Sequence, residues 1–476
     1  MRIVHIASEI APLAKVGGLG DVVGGLSKAQ AKKGHKVEVI LPAYSFLFNH
    51  PIFCDCTFET EKTDKISIYK MMYHHCTLSL IHPHSKKKLF SRKNIYGYKD
   101  DVERFMFFSK AAFEYLLFAD NKIDILHLHD WHTSIISLLV KEKAKEHKIK
   151  KTILTLHNPR YQASCNRTKF ATLGLNPKKY LKPSLMQNGK KNNLNLLKGG
   201  LIFSDEITTV SPTYAKELLL KSFSFNLYTL INKNKNKIHG ILNGIDTGIW
   251  NPKVDPHIKK HYSAKDSCRY ILSAKQKNKA ELQKKLKLKK SPSFIVASIG
   301  RLATQKGPDL IADALEYTLA KGGQFILLGI PETKSIEKKF KKLQKKYQNN
   351  RNVAFLFTFN EKLSRLIYCG SDFIIIPSRY EPCGLTQMIA FRYGTIPIAR
   401  KTGGLADTVI ENKNNQTGFS FTAFSKPAFR KTLDRAFELF RKNPKKHSSL
   451  IKKIMNLDYS WDRSMKEYLK IYHSRR

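Results

Sequence analysis

A chain of 476 residues, 42% of them hydrophobic, is too long for one ordinary core and holds enough apolar material for two large domains. Lysine and arginine outnumber acids 84 to 38, a formal charge of +46 that raises the question of an anionic partner. No run of about 18 apolar residues predicts a membrane span, and seven scattered cysteines without a CxxC pair fit free thiols in a reducing, cytoplasmic setting.

In chain order, the apolar stretch RIVHIA at 2–7 is broken by Ser8 and Glu9, too early for a signal-peptide core, and reads as a buried first strand. KVGGLGDVVGG follows, from Lys15 to Gly25. Its Gly18, Gly20 and Gly24 resemble a dinucleotide fingerprint, yet they start about ten residues after the strand and no acid closes the second strand after Val39. A flexible loop whose backbone amides and Lys15 meet an anionic ligand is the better reading. VEVILP, DILHLHD, KTILTLHN and DEITTVS are the next strands. HLHDWH sets His127 and His129 on one strand face, but Asp130 comes one position early for the zinc-hydrolase order, so no metal is expected there. His157 and Asn158 end a strand and open a loop, where side chains face a cleft at a sheet's carboxyl edge.

ILNGIDTGIW at 241–250 closes this first series, and a second begins with FIVASIG, QFILLG, VAFLFTF, DFIIIPS and IPIAR. Apolar runs alternating with helical patterns predict an α/β protein of two Rossmann-like, doubly wound domains, 1–245 and 246–456, followed by an amphipathic tail helix within 457–476. Arg301 and Lys306 flank a turn after a strand and can neutralise a leaving diphosphate without a metal. No DxD string occurs, so neither metal nor cofactor is expected. Glu381 precedes a proline and glycine turn into a helix, where a carboxylate can bind sugar hydroxyls and stabilise positive charge at an anomeric carbon. Gly403 and Gly404, again before a helix, are expected to add backbone donors for phosphate. The basic runs at 232–237, 284–290 and 338–346 lie on helix-like or loop stretches without interleaved aromatics, which favours a solvated lysine coat over a nucleic-acid surface.

KVGGLGD, HDWH, LHN, VSPTYAKE, ILNGID, RLATQKG, EPCGLTQ and TGGLADTV stand in an order that resembles bacterial-type glycogen synthases and plant starch synthases over almost the whole chain. The resemblance implies the GT-B architecture, two facing domains with a cleft between them and a tail that returns to the first domain. It implies retaining transfer of glucose from ADP-glucose to the non-reducing end of an α-1,4-glucan such as glycogen, with UDP-glucose as the alternative donor. It places Lys15 at the donor, and Asp130 and His157 beside the glucose. Gly17, Gly18, Asp21, Asn243, Leu385 and Thr386 become substrate-binding candidates with them. Three departures stand out: Ala163 replaces a glycine of the family's YQG, Pro331 replaces a second glycine after QFILLG, and Thr358 stands where a tyrosine packs on the base. Two rival readings are another GT-B hexosyltransferase, which EPCGLTQ with Ile389 and KVGGLGD argue against, and an idle glucan-binding protein, in which Lys15, Arg301, Lys306 or Glu381 would be lost.

Overall fold

The computed structural model describes residues 1–60, 64–85, 87–119, 121–144, 148–189 and 192–474; the last two residues of the tail expected at 457–476 lie outside them. The chain forms two compact units, Met1–Gly244 with Trp461–Arg476, and Ile245–Ser460.

In the first unit the strands are β1 Arg2–Ile6, β2 Lys36–Pro42, β3 Phe53–Glu59, β4 Lys65–Tyr73, β5 Cys76–Pro83, β6 Ile123–His129, β7 Ile149–Leu156, β8 Ser164–Asn166, β9 Asn193–Asn195, β10 Glu206–Thr209 and β11 Ile238–Gly240. All but β8 and β9, which pair with each other, lie in one sheet of order β11-β10-β7-β6-β1-β2-β5-β4-β3. From β11 to β5 every pairing is parallel. The inner strands are buried on both faces, as covered parallel strands must be, and carry His5, His127 and His129 among their apolar residues. Of this sheet's strands the sequence reading did not include β3, β4, β5 and β11; β3 and β4 pair antiparallel at the sheet's edge and expose much of β3.

The second unit has β12 Ile295–Ile299, β13 Gln324–Leu328, β14 Val353–Leu356, β15 Phe373–Ile376, β16 Ile396–Arg400 and β17 Phe419–Phe421, in the order β14-β13-β12-β15-β16-β17. Every pairing is parallel. In each unit the winding reverses beside the first strand, between β1 and β6 and between β12 and β15, and the carboxyl ends of those strands are where a doubly wound sheet binds its ligand. The basic run at 338–346 lies on the helix Lys334–Lys346, which buries only Phe340 and pairs Lys339 with Asp309 and Lys346 with Glu316. Among the described residues no helix is long and apolar enough to cross a membrane.

The tail helix Trp461–His473 belongs to the first unit, where Trp461, Met465, Tyr468 and Tyr472 share a core with Ile3, Val22, Leu26 and Ile125. Gly25 is glycine because of it: a Cβ there would lie 1.9 Å from Trp461 Nε1. Gly25→Ala must push the indole aside, an overpacking that costs about 1–3 kcal/mol. A urea midpoint equal to that of the wild type would contradict this packing.

Candidate active site

In the first unit the turn after β1 carries Glu9, which is 3% exposed. Its Oε2 accepts from the amides of Val16 at 2.7 Å and Gly17 at 2.8 Å, and its Oε1 accepts from Tyr96 Oη at 2.8 Å. The expected flexible glycine loop is therefore corrected. A helix begins at Gly18, and the two amides ahead of it are spent on a buried carboxylate, so Gly17 and Gly18 stand at a pinned helix start. Lys15 is exposed beside it, its Nζ 2.7 Å from Asp21 Oδ1. In the sequence Glu9 marks only the end of the first apolar stretch, because a lone acid after a strand carries no spacing signal.

Asp130 follows β6 with a φ of 56°, and its buried Oδ1 accepts from the amide of His157 at 2.8 Å and, more weakly, from that of Asn158 at 3.4 Å. The carboxylate thus ties the end of β6 to the turn after β7. Burial pushes its pKa up to about 7, against the pull of those two amides. His157 sits on this turn, and its Nε2 lies 3.1 Å from His129 Nδ1. Asn243 is buried in the same unit, and its Oδ1 has no hydrogen-bond partner among the described residues.

His5, His127 and His129 offer three nitrogens within 4.8 Å of one another. Their rings are stacked, with centroids 4.6 to 5.4 Å apart and interplanar angles of 17 to 29°. Stacked rings aim their lone pairs side by side instead of at one point, as tetrahedral zinc requires, and the nitrogens are engaged with each other, Gln30, Tyr472 and Thr155.

In the second unit the decisive contact joins the ends of β12 and β15. Lys306 Nζ is 2.6 Å from Glu381 Oε2, which also accepts from Ser378 Oγ at 2.8 Å. Glu381 is 5% exposed, while Arg301 stays exposed and lies 3.7 Å from Glu332. Leu385 and Thr386, half-buried, lead into the helix Thr386–Arg392. Gly403, after β16, has a φ of 45°, and a Cβ there would lie 1.9 Å from the carbonyl oxygen of Glu381. Gly404 differs from expectation: its amide donates to that same carbonyl at 3.1 Å, so it secures the Glu381 turn instead of standing free for phosphate.

The two departures on this side are accommodated. Pro331 faces Leu302 in a parallel bridge whose hydrogen bonds use the Ile330 carbonyl and the Glu332 amide, so the missing proline N–H is not needed. Thr358 is followed by Phe359, whose side chain is 75% exposed just beyond β14. An exposed ring at a sheet's carboxyl edge was legible in VAFLFTF and was overlooked.

Residues 2–233 match the family model described as starch synthase catalytic domain, and residues 278–454 match glycosyl transferases group 1. A glycogen synthase of Protochlamydia amoebophila (strain UWE25) is 38% identical over 496 residues, covering 100% of this chain and 99% of the relative. A probable starch synthase 4 of Arabidopsis thaliana is 40% identical over 99% of this chain, which spans only 47% of that relative's length. The solved catalytic domain of starch synthase IV from Arabidopsis thaliana, bound to ADP and acarbose, superposes with a TM-score of 0.92 at 40% identity over 99% of this chain and 98% of that one. A sucrose-phosphate synthase from Thermosynechococcus elongatus, at 17% identity and a TM-score of 0.62 over 99% of this chain and 98% of that one, shares the fold alone. The architecture is that of the GT-B glycosyltransferases. Within them, the chain belongs to the starch and glycogen synthase family.

Burial holds five histidines of the first unit neutral: His5 falls to about 4, His132 and His157 to about 3, and His127 and His129 well below the usual value. Folded values below the unfolded 6.5 mean stability that is whole above pH 6.5 and lost as pH falls toward 4, at about 1.4 kcal/mol per pH unit for each ring. Asp130, raised, acts with the opposite sign and offsets about one of them. The urea midpoint should drop steeply between pH 6.5 and 5, with net uptake of more than two protons on unfolding. A flat profile there would contradict a buried neutral cluster.

Proposed function

We propose that the protein is a glycogen synthase that moves glucose, with retention, from ADP-glucose to the non-reducing end of an α-1,4-glucan. The observation that carries this reading is the Lys306–Glu381 pair where the sheet winding reverses in the second unit, close to the carboxyl ends of parallel strands. The ADP and acarbose bound by the Arabidopsis catalytic domain support both partners. Lys306 is proposed to serve two anions, the Glu381 carboxylate that holds it and the diphosphate that departs. Arg301 supplies a second positive charge to the diphosphate as the glycosidic bond breaks and its electron pair moves to oxygen. Glu381 in turn faces the positive charge that develops at the anomeric carbon.

Lys15 and Asp21 are proposed donor-side groups, Asp130 and His157 sugar-side groups, and Asn243 a further polar contact. Phe359 offers a ring face to the base, which favours a purine, so ADP-glucose is preferred over UDP-glucose. A cytoplasmic setting goes with the proposal and is supported by seven free cysteines.

The test is glycogen incubated with labelled ADP-glucose or UDP-glucose, side by side. Incorporation should come mainly from ADP-glucose, and incorporation from neither would sink the reading. Glu381→Gln should lower turnover on the order of 10² to 10³, about 2.7 to 4 kcal/mol of barrier, with little change in donor binding. Retention of turnover within about three-fold would remove Glu381 from the reacting centre. With Arg301 and Lys306 facing the diphosphate, incorporation should survive EDTA, and Lys306→Ala should raise the donor KM and lower kcat together. A strict demand for added magnesium or manganese would show that these two side chains do not neutralise the leaving group alone.

A further inference from the structure

Behind His157 runs a buried chain of hydrogen bonds that the proposed chemistry does not use, and its polarity can be followed atom by atom. Gln30 turns Oε1 toward His5 Nε2 at 2.8 Å, and its Nε2 donates to Tyr472 Oη at 2.9 Å. A carbonyl oxygen only accepts, so the proton of His5 is on Nε2. His5 and His129 are fully buried and His157 is 9% exposed, and each ring is neutral, with a single N–H. His5 Nδ1 is then bare and accepts from His129 Nε2 at 3.1 Å. His129 Nδ1 is bare in its turn and accepts from His157 Nε2 at 3.1 Å. On the other arm Tyr472 Oη donates to His127 Nδ1 at 2.8 Å, and His127 Nε2 donates to Thr155 Oγ1 at 2.6 Å. No ring can reverse alone, because a neutral imidazole that donates on one side must accept on the other.

We propose that Gln30 and Tyr472, acting through His5 and His129, lock His157 in the tautomer protonated at Nε2, so that its Nδ1 presents a bare lone pair to a hydroxyl of the bound sugar. This rests on the reading of His157 as a sugar-binding group. Gln30 and Tyr472 are positioning residues: neither touches the sugar, and Tyr472 belongs to the tail helix. A bare nitrogen accepts and cannot donate, so the site recognises a sugar by its O–H and discriminates against an analogue whose matching position carries only an acceptor.

The experiment is a two-bond proton–nitrogen correlation spectrum of the full chain labelled with ¹⁵N-histidine, with His157 assigned by its loss in His157→Gln. The wild type should give the pattern of an Nε2–H imidazole at His157. In Gln30→Met and in Tyr472→Phe that signal should shift toward a mixture of tautomers, with kcat reduced on the order of ten-fold and donor KM held within about two-fold. An Nδ1–H pattern in the wild type, or an unchanged His157 signal in the folded variants, overturns the proposal. Should Gln30→Met fail to fold, Tyr472→Phe at the far end of the chain carries the comparison. A wild type with the expected tautomer but no glucan synthesis would refute the transferase reading while upholding the lock.

Discussion

The contact between Lys306 Nζ and Glu381 Oε2 is the one on which the second unit's site depends. A carboxylate this deeply buried needs a partner, since an unpaired buried charge is far costlier than a paired one. Here the partner comes from the neighbouring strand's turn, and the geometry of both turns is fixed by the parallel pairing of β12 with β15. The backbone of Gly403, from the next strand, closes against the Glu381 carbonyl so tightly that no side chain fits. Three adjacent strand ends are thereby interlocked, and the position of one carboxylate is set by the whole sheet edge.

The first unit solves a different problem with the same topology. Around its reversal point, buried polar groups are satisfied by hydrogen bonds: Glu9 by two amides and a phenol, Asp130 by the turn that bears His157, and the histidines by one another. Neutral, directional hydrogen bonds do there what an ion pair does in the second unit.

Much of this was legible in the residues. The parallel strands announce themselves as apolar runs ending in turn signals, and Arg301, Lys306 and Glu381 stand where such runs end. What the sequence hid were partnerships. Glu9 accepts from Val16 and Gly17 only because the segment after β1 folds back on itself, which no spacing rule announces, and Gly404 donates to Glu381 only because β15 and β16 lie side by side. Strands β3 and β4 escaped because FCDCTFE and KISIYKMMY mix polar with apolar residues along their length, unlike the continuous apolar runs. His5 interrupts the apolar run of RIVHIA with no sign of a partner, and only the pairing of β1 beside β6 brings it to His129.

The central claim is that these groups transfer glucose with retention onto the end of an α-1,4-glucan. Proton NMR of a maltooligosaccharide extended by the protein from ADP-glucose tests it most directly, because the anomeric coupling and the linkage shifts are read from the new residue itself. The account predicts new α-1,4-linked glucose alone, formed with ADP in equal amount. A β-linked product, or ADP release with free glucose and no elongation, would contradict it.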